Sequence, residues 1–118
     1  MQSFKVTRVY NNANGDSCFE DIEYPLTDKG PIGYLSEKVK VSNLLFRKVP
    51  PGYNDLHTAP QKQYVILLDG AVEIETSLGE KRIFNEGQIL LMEDTEGKGH
   101  RSKNVLPLER SSLFVTFD

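Results

Sequence analysis

A chain of 118 residues, 38% of them hydrophobic, is sized for one domain around a single modest core. Its formal charge of −3 leaves no footprint for nucleic acid, and its one cysteine, Cys18, cannot build a disulfide framework. No apolar run approaches the roughly 20 residues that cross a bilayer as a helix.

The N-terminal stretch MQSFKVTRVY alternates and carries charge, without the basic, apolar and small-residue layout of a secretory signal. With the lone thiol, this sets the expectation of a reducing, cytoplasmic setting. Phe4, Val6, Arg8 and Tyr10 alternate with Lys5, Thr7 and Val9, a strand pattern, and residues 11–16 (NNANGD) are turn chemistry. Residues 18–24 suit a second strand. Residues 25–33 hold two Pro and two Gly and cannot continue it regularly. Residues 34–37 are the only helix-permissive piece. Residues 39–49 read as a strand that stops at Pro50-Pro51-Gly52.

The centre of the chain is plainer. Residues 63–68 (QYVILL) are apolar on both faces, as in a strand covered on both sides. Asp69-Gly70 turns the chain. Val72 and Ile74 then alternate with Glu73 and Glu75 as a half-buried strand. Further turns at Leu78-Gly79 and at 85–87 flank a short strand at 81–84, and residues 88–92 and 113–117 supply two more. Short, evenly spaced strands punctuated by Gly, Pro and Asn predict an all-β sandwich or barrel.

Within residues 52–104 a spacing pattern stands out. His57-x-Ala59-x3-Gln63-x6-Gly70 is followed by a 16-residue gap, then Gly87, then His100-x3-Asn104. This resembles the two-part motif of the cupins, with two expected metal ligands replaced. A typical cupin offers two His and a Glu from the first motif and one His from the second. Ala59 stands at the second His position and Gln63 at the Glu position. Gly52 lies one residue closer to His57 than the pattern asks. The loop at 93–99 (EDTEGKG) is two residues longer than usual, with Glu93 where Pro is common. The resemblance implies an antiparallel cupin-type β-barrel, a double-stranded β-helix or jelly roll. The whole chain, 1–118, would form one cupin domain. Residues 1–50 would supply N-terminal strands, 51–105 the motif core and 106–118 the closing strand. The resemblance also implies a homodimer.

Strand parity gives the site its expected shape. Residues of like parity share a face, so Gln63, Val65 and Leu67 point one way and Tyr64, Ile66 and Leu68 the other. If His57 and Ala59 lie on the same extended segment, a polar mouth of His57 and Gln63 sits above an apolar floor, with His100 entering from the opposite strand. That is the usual make-up of a small-molecule site. Lys62 should face away. His57, Gln63 and His100 are therefore the candidate ligand-binding residues and the candidate ligands of a divalent metal such as iron, nickel, zinc or manganese.

First-row metals favour imidazole and carboxylate ligands. Ala59 cannot ligate and Gln63 offers only a neutral carbonyl, so no metal, or a weakly held one, is expected. Glu93, Asp94 and Glu96 are carboxylates that the longer loop could bring in. The run Lys98-x-His100-Arg101-x-Lys103 reads as a solvated loop, with anion attraction as the alternative. Tyr53 and Tyr64 suit core or interface packing, with hydrogen bonds to a ligand as the alternative, and Cys18 suits a packed thiol rather than a nucleophile. Two functions stay open. One is a cupin that binds a small organic ligand; the other is an enzyme (dioxygenase, isomerase or cyclase) acting on a small organic acid or carbonyl compound. No Ser-centred nucleophile motif, phosphate-binding Gly loop or zinc CxxC pair adds a third.

Overall fold

The computed structural model describes residues 2–118. In chain order the strands are β1 (Ser3–Asn11), β2 (Ser17–Pro25), β3 (Thr27–Asp28), β4 (Tyr34–Leu35), β5 (Asn43–Val49) and β6 (Asn54–His57). They continue with β7 (Gln63–Leu67), β8 (Ala71–Thr76), β9 (Lys81–Asn85), β10 (Ile89–Met92), β11 (His100–Asn104) and β12 (Arg110–Thr116). The only helical turn among the described residues is a short 3-10 turn at Gly30–Ile32.

Ten strands form two facing sheets. The larger runs β2-β1-β10-β7-β12-β5 and the smaller β6-β11-β8-β9, while β3 and β4 make a separate ribbon. The core lies between them. Val9, Val65, Leu67, Leu90 and Met92 from the large sheet meet Val72, Ile74 and Phe84 from the small one. Period-two patterning puts them there. Along β7, Gln63, Val65 and Leu67 are buried while Tyr64 and Ile66 are only half-buried. Along β8, Val72 and Ile74 are buried and Glu73 and Glu75 are not.

The strands differ in detail from the sequence reading. Every described strand pair is antiparallel except β1 with β10, which is parallel, Thr7 facing Leu90 and Val9 facing Met92. No hairpin links strands so far apart in the chain, so no turn imposes an antiparallel register. From the N-terminal 50 residues, β1 and β5 join the same sheet as the motif strand β7. The fifth strand begins only at Asn43, and the helix-permissive piece at 34–37 instead starts as strand β4. Finally, Leu68 lies beyond β7 and is exposed, so that strand is covered fully on its inner face alone.

Candidate functional site

His100 opens β11 and pairs in register with His57, the last residue of β6. Directly opposed residues in an antiparallel pair bring their side chains together. Here the two imidazole centroids are 4.7 Å apart, ring edge to ring face at 69°. Gly99 permits the approach. Its φ is +76°, and a Cβ there would stand 2.6 Å from the His57 carbonyl oxygen.

Each imidazole is held by a carboxylate at Nδ1. His57 Nδ1 donates to Asp55 Oδ2 at 3.0 Å near the surface. His100 Nδ1 donates to Asp94 Oδ2 in the interior, where His100 is 1% exposed and Asp94 0%. An ionised carboxylate only accepts, so each Nδ1 carries a proton, and Nε2 is the nitrogen that can accept whenever a ring is neutral. Asp94 Oδ1 is buried and has no partner among the described residues. The Asp94 carbonyl accepts from Ala59 N–H at 3.0 Å, which ties the 93–99 loop to the segment after β6. Burial, and after it the nearby charge of His100, holds His57 below its ordinary value of 6.5, against the opposing pull of Asp55 and Asp94.

His57, Ala59, Gln63 and His100 all line one cavity between the sheets, over a floor that includes Val65, Leu67, Ile74 and Met92. Lys62 and Tyr64 turn outward. Lys62 pairs with Glu93 at 3.2 Å, and the Tyr64 and Tyr24 hydroxyls share a hydrogen bond of 2.5 Å. Of the three loop carboxylates, Glu93 is taken by Arg8 and Lys62 on the outside, Glu96 is exposed, and Asp94 is spent on the back of His100. Of the cationic run, only His100 turns inward; Lys98 pairs with Asp16 at 3.0 Å and Arg101 with Asn54 at 3.0 Å, and from His100 on the run is strand β11, not a solvated loop.

Two cavity residues, Arg110 and Arg47, escape sequence reasoning. Arg110, the first residue of β12, is 3% exposed, and its Nε donates to Asn104 Oδ1 at 2.9 Å. Asn104 is oriented in turn by donation from its Nδ2 to the Pro50 carbonyl at 3.0 Å. The Arg110 stem crosses Gly70, where a Cβ would stand 3.3 Å from Arg110 Cγ. Arg47 on β5 lies with its guanidinium carbon 5.2 Å from the Tyr53 ring centre and 4.9 Å from that of Phe114. Arg110 is 6.0 Å from the same Tyr53 ring. The one available signal was parity: Arg47 alternates with the outward Phe46 and Lys48, and shares its side of β5 with buried Val49.

No family model and no curated protein matches the chain. Solved structures do. A cupin 2 conserved barrel domain protein from Salinispora arenicola superposes with a TM-score of 0.52 at 20% identity over 64% of this chain. The fold is the cupin barrel. The match spans 61% of that protein's length. A candidate ethanolamine utilization protein Q from Salmonella typhimurium matches this barrel with a TM-score of 0.52 at 13% identity, over 99% of this chain and 98% of that one.

Cupin barrels commonly hold a metal, and the donor set tests whether this one suits it. Two imidazole nitrogens and the Gln63 amide face the cavity beside a methyl group at Ala59. Among the described residues no three His, Cys, Asp or Glu side chains are grouped to hold a metal ion. Both nearby carboxylates are committed to imidazole Nδ1 atoms. The residues present do not fit a firmly held first-row metal.

Proposed function

We propose that the protein is a small cupin that binds a small organic ligand in its barrel, with His57, Gln63 and His100 fixing the ligand's polar end and no tightly held metal. One observation carries the reading: three polar side chains that the sequence spaces far apart line one mostly apolar cavity. Rigid polar groups above an apolar floor orient a ligand and bury the rest of it. The cavity leaves about 50 Å³ for the centres of water-sized molecules. At about 10–15 Å³ per water, that is room for roughly three to five waters, or for a compound of a few heavy atoms. The test is a screen of small polar compounds against isotope-labelled protein. A ligand should shift the amide resonances of His57, Gln63 and His100 together. A screen in which no compound moves them would overturn the reading.

A second reading, an enzyme without a metal, is favoured by the carboxylate behind each imidazole. Such a partner fixes the tautomer and steadies the imidazolium that forms when Nε2 accepts a proton. His57, held neutral at pH 7 by its depressed proton affinity, would be the base in an isomerisation of a small carbonyl compound. Proton exchange into such a compound, abolished by His57→Gln, distinguishes this from binding alone.

The same proposal includes a homodimer in the cytoplasm. An outer sheet face with Phe46 at 82% exposure, and β5 unpaired along one edge, support assembly with a second copy. No helix among the described residues is long and apolar enough to cross a membrane.

A further inference from the structure

Arg110 presents an imbalance. Arginine is almost never fully buried without a partner, because an ionised group taken out of water must be paired or hydrogen-bonded. Arg110 is 3% exposed, yet its only hydrogen bond among the described residues goes from Nε to a neutral amide. Its two terminal nitrogens have no acceptor among the described residues and keep some accessible area at the cavity. Arg47 makes no hydrogen bond or ion pair among the described residues and rests on the Tyr53 and Phe114 rings. Both guanidiniums line the cavity that His57 and His100 line, and no Asp or Glu lines it. The chain as a whole is acidic, at −3, so this interior is of opposite sign to the molecule around it. Burial first, and then the charge of Arg47, press Arg110 below its ordinary value, against the opposing pull of Tyr53 and Asp69.

We propose that the cavity is a carboxylate site, in which Arg110 and Arg47 hold the carboxylate of a short-chain organic acid and His57, Gln63 and His100 meet its other polar end. This rests on the barrel cavity being a ligand site, and deepens it by naming the ligand class. The geometry suits a carboxylate in three ways. The guanidinium fork matches two carboxylate oxygens. Asn104 fixes the Arg110 plane from behind, itself fixed by the Pro50 carbonyl. Room for about three to five waters admits an acid of a few heavy atoms, and the apolar floor covers its carbon chain.

The test is calorimetric titration in buffer free of chloride and phosphate, using pyruvate, acetate, pyruvamide and inorganic phosphate as probes. Pyruvate should bind saturably, and pyruvamide, which keeps the shape and loses the charge, roughly tenfold or more weaker. Arg110→Met should abolish pyruvate binding, and Arg110→Lys, which keeps charge without the fork, should restore only part of it. If Arg110→Met fails to fold by circular dichroism, Arg47→Met, at a half-exposed position, should itself lose at least roughly tenfold in affinity. Equal binding of acid and amide, binding of phosphate without the acids, or unchanged affinity in the arginine variants would each overturn the carboxylate assignment. Neutral compounds that shift the His57 and His100 resonances while the acids do not would overturn this assignment alone. Silence from every compound would overturn the cavity reading with it.

Discussion

Removing one member of the Asp94–His100 pair should cost very different amounts depending on which member goes. Asp94 is fully buried and its Oδ1 already lacks a partner, so His100 Nδ1 is the only side-chain hydrogen bond its carboxylate receives. In His100→Leu the carboxylate keeps no partner, and breaking a buried pair in this direction costs about 3–5 kcal/mol. In Asp94→Ala the imidazole loses one hydrogen-bond acceptor, which costs about 1–3 kcal/mol. Replacing both by apolar residues of similar volume, Asp94→Leu with His100→Leu, should bring stability back near the wild type, because no polar group is then stranded. Urea unfolding followed by circular dichroism measures this. With a slope of about 2 kcal/mol per molar, the midpoint should fall about 2 M in His100→Leu and about 1 M in Asp94→Ala. Equal losses in the two single variants, or a double variant no better than His100→Leu, would refute the view that the stranded carboxylate is the dominant cost.

Installing the absent ligands, Ala59→His with Gln63→Glu, should raise affinity for divalent iron, nickel, zinc or manganese by orders of magnitude in calorimetric titration, and His100→Ala should remove whatever weak binding the unmodified protein has. Stability should also depend on His57. Its folded-state value lies below the ordinary 6.5, so between the two the unfolded chain takes up the proton first. The contribution is therefore present above about pH 6.5 and lost as pH falls towards the folded value, and His57→Gln should flatten that part of the curve of melting temperature against pH. Light scattering should give a dimer mass, and Phe46→Glu, a charge placed on an 82% exposed aromatic, should shift it to a monomer if that face is the interface.

The parts of the fold legible in the sequence are those where the information is local. Period-two alternation at 63–67 and 72–74 told which side chains face inward, because each strand's parity is set by its own residues. Motif spacing was enough to bring His57 and His100 into one neighbourhood. What stayed hidden depends on partners distant in the chain. Arg47 and Arg110 reach the cavity because β5 pairs with β12, with Arg110 opposite Val49, and no local pattern announces that pairing. Asp94 belongs to a loop with no period, one of three carboxylates equally placed by sequence. Only the chain's path between β10 and β11 turns it onto His100. The parallel β1–β10 pairing was invisible for the same reason.

The position of β12 sets the order in which this protein can become functional. That strand lies between β7 and β5, and its first residue is Arg110. The large sheet thus stays split until β12 has been made, and β7 and β5 wait with open edges in the meantime. Contacts of such long sequence separation close slowly. During synthesis the two histidines can meet earlier, since β6, β8 and β11 belong to the other sheet. The arginine wall cannot. A nascent chain would hold the imidazole half of the cavity before the guanidinium half, and trimming β12 would remove Arg110 from the cavity and detach β5 from the sheet in one cut.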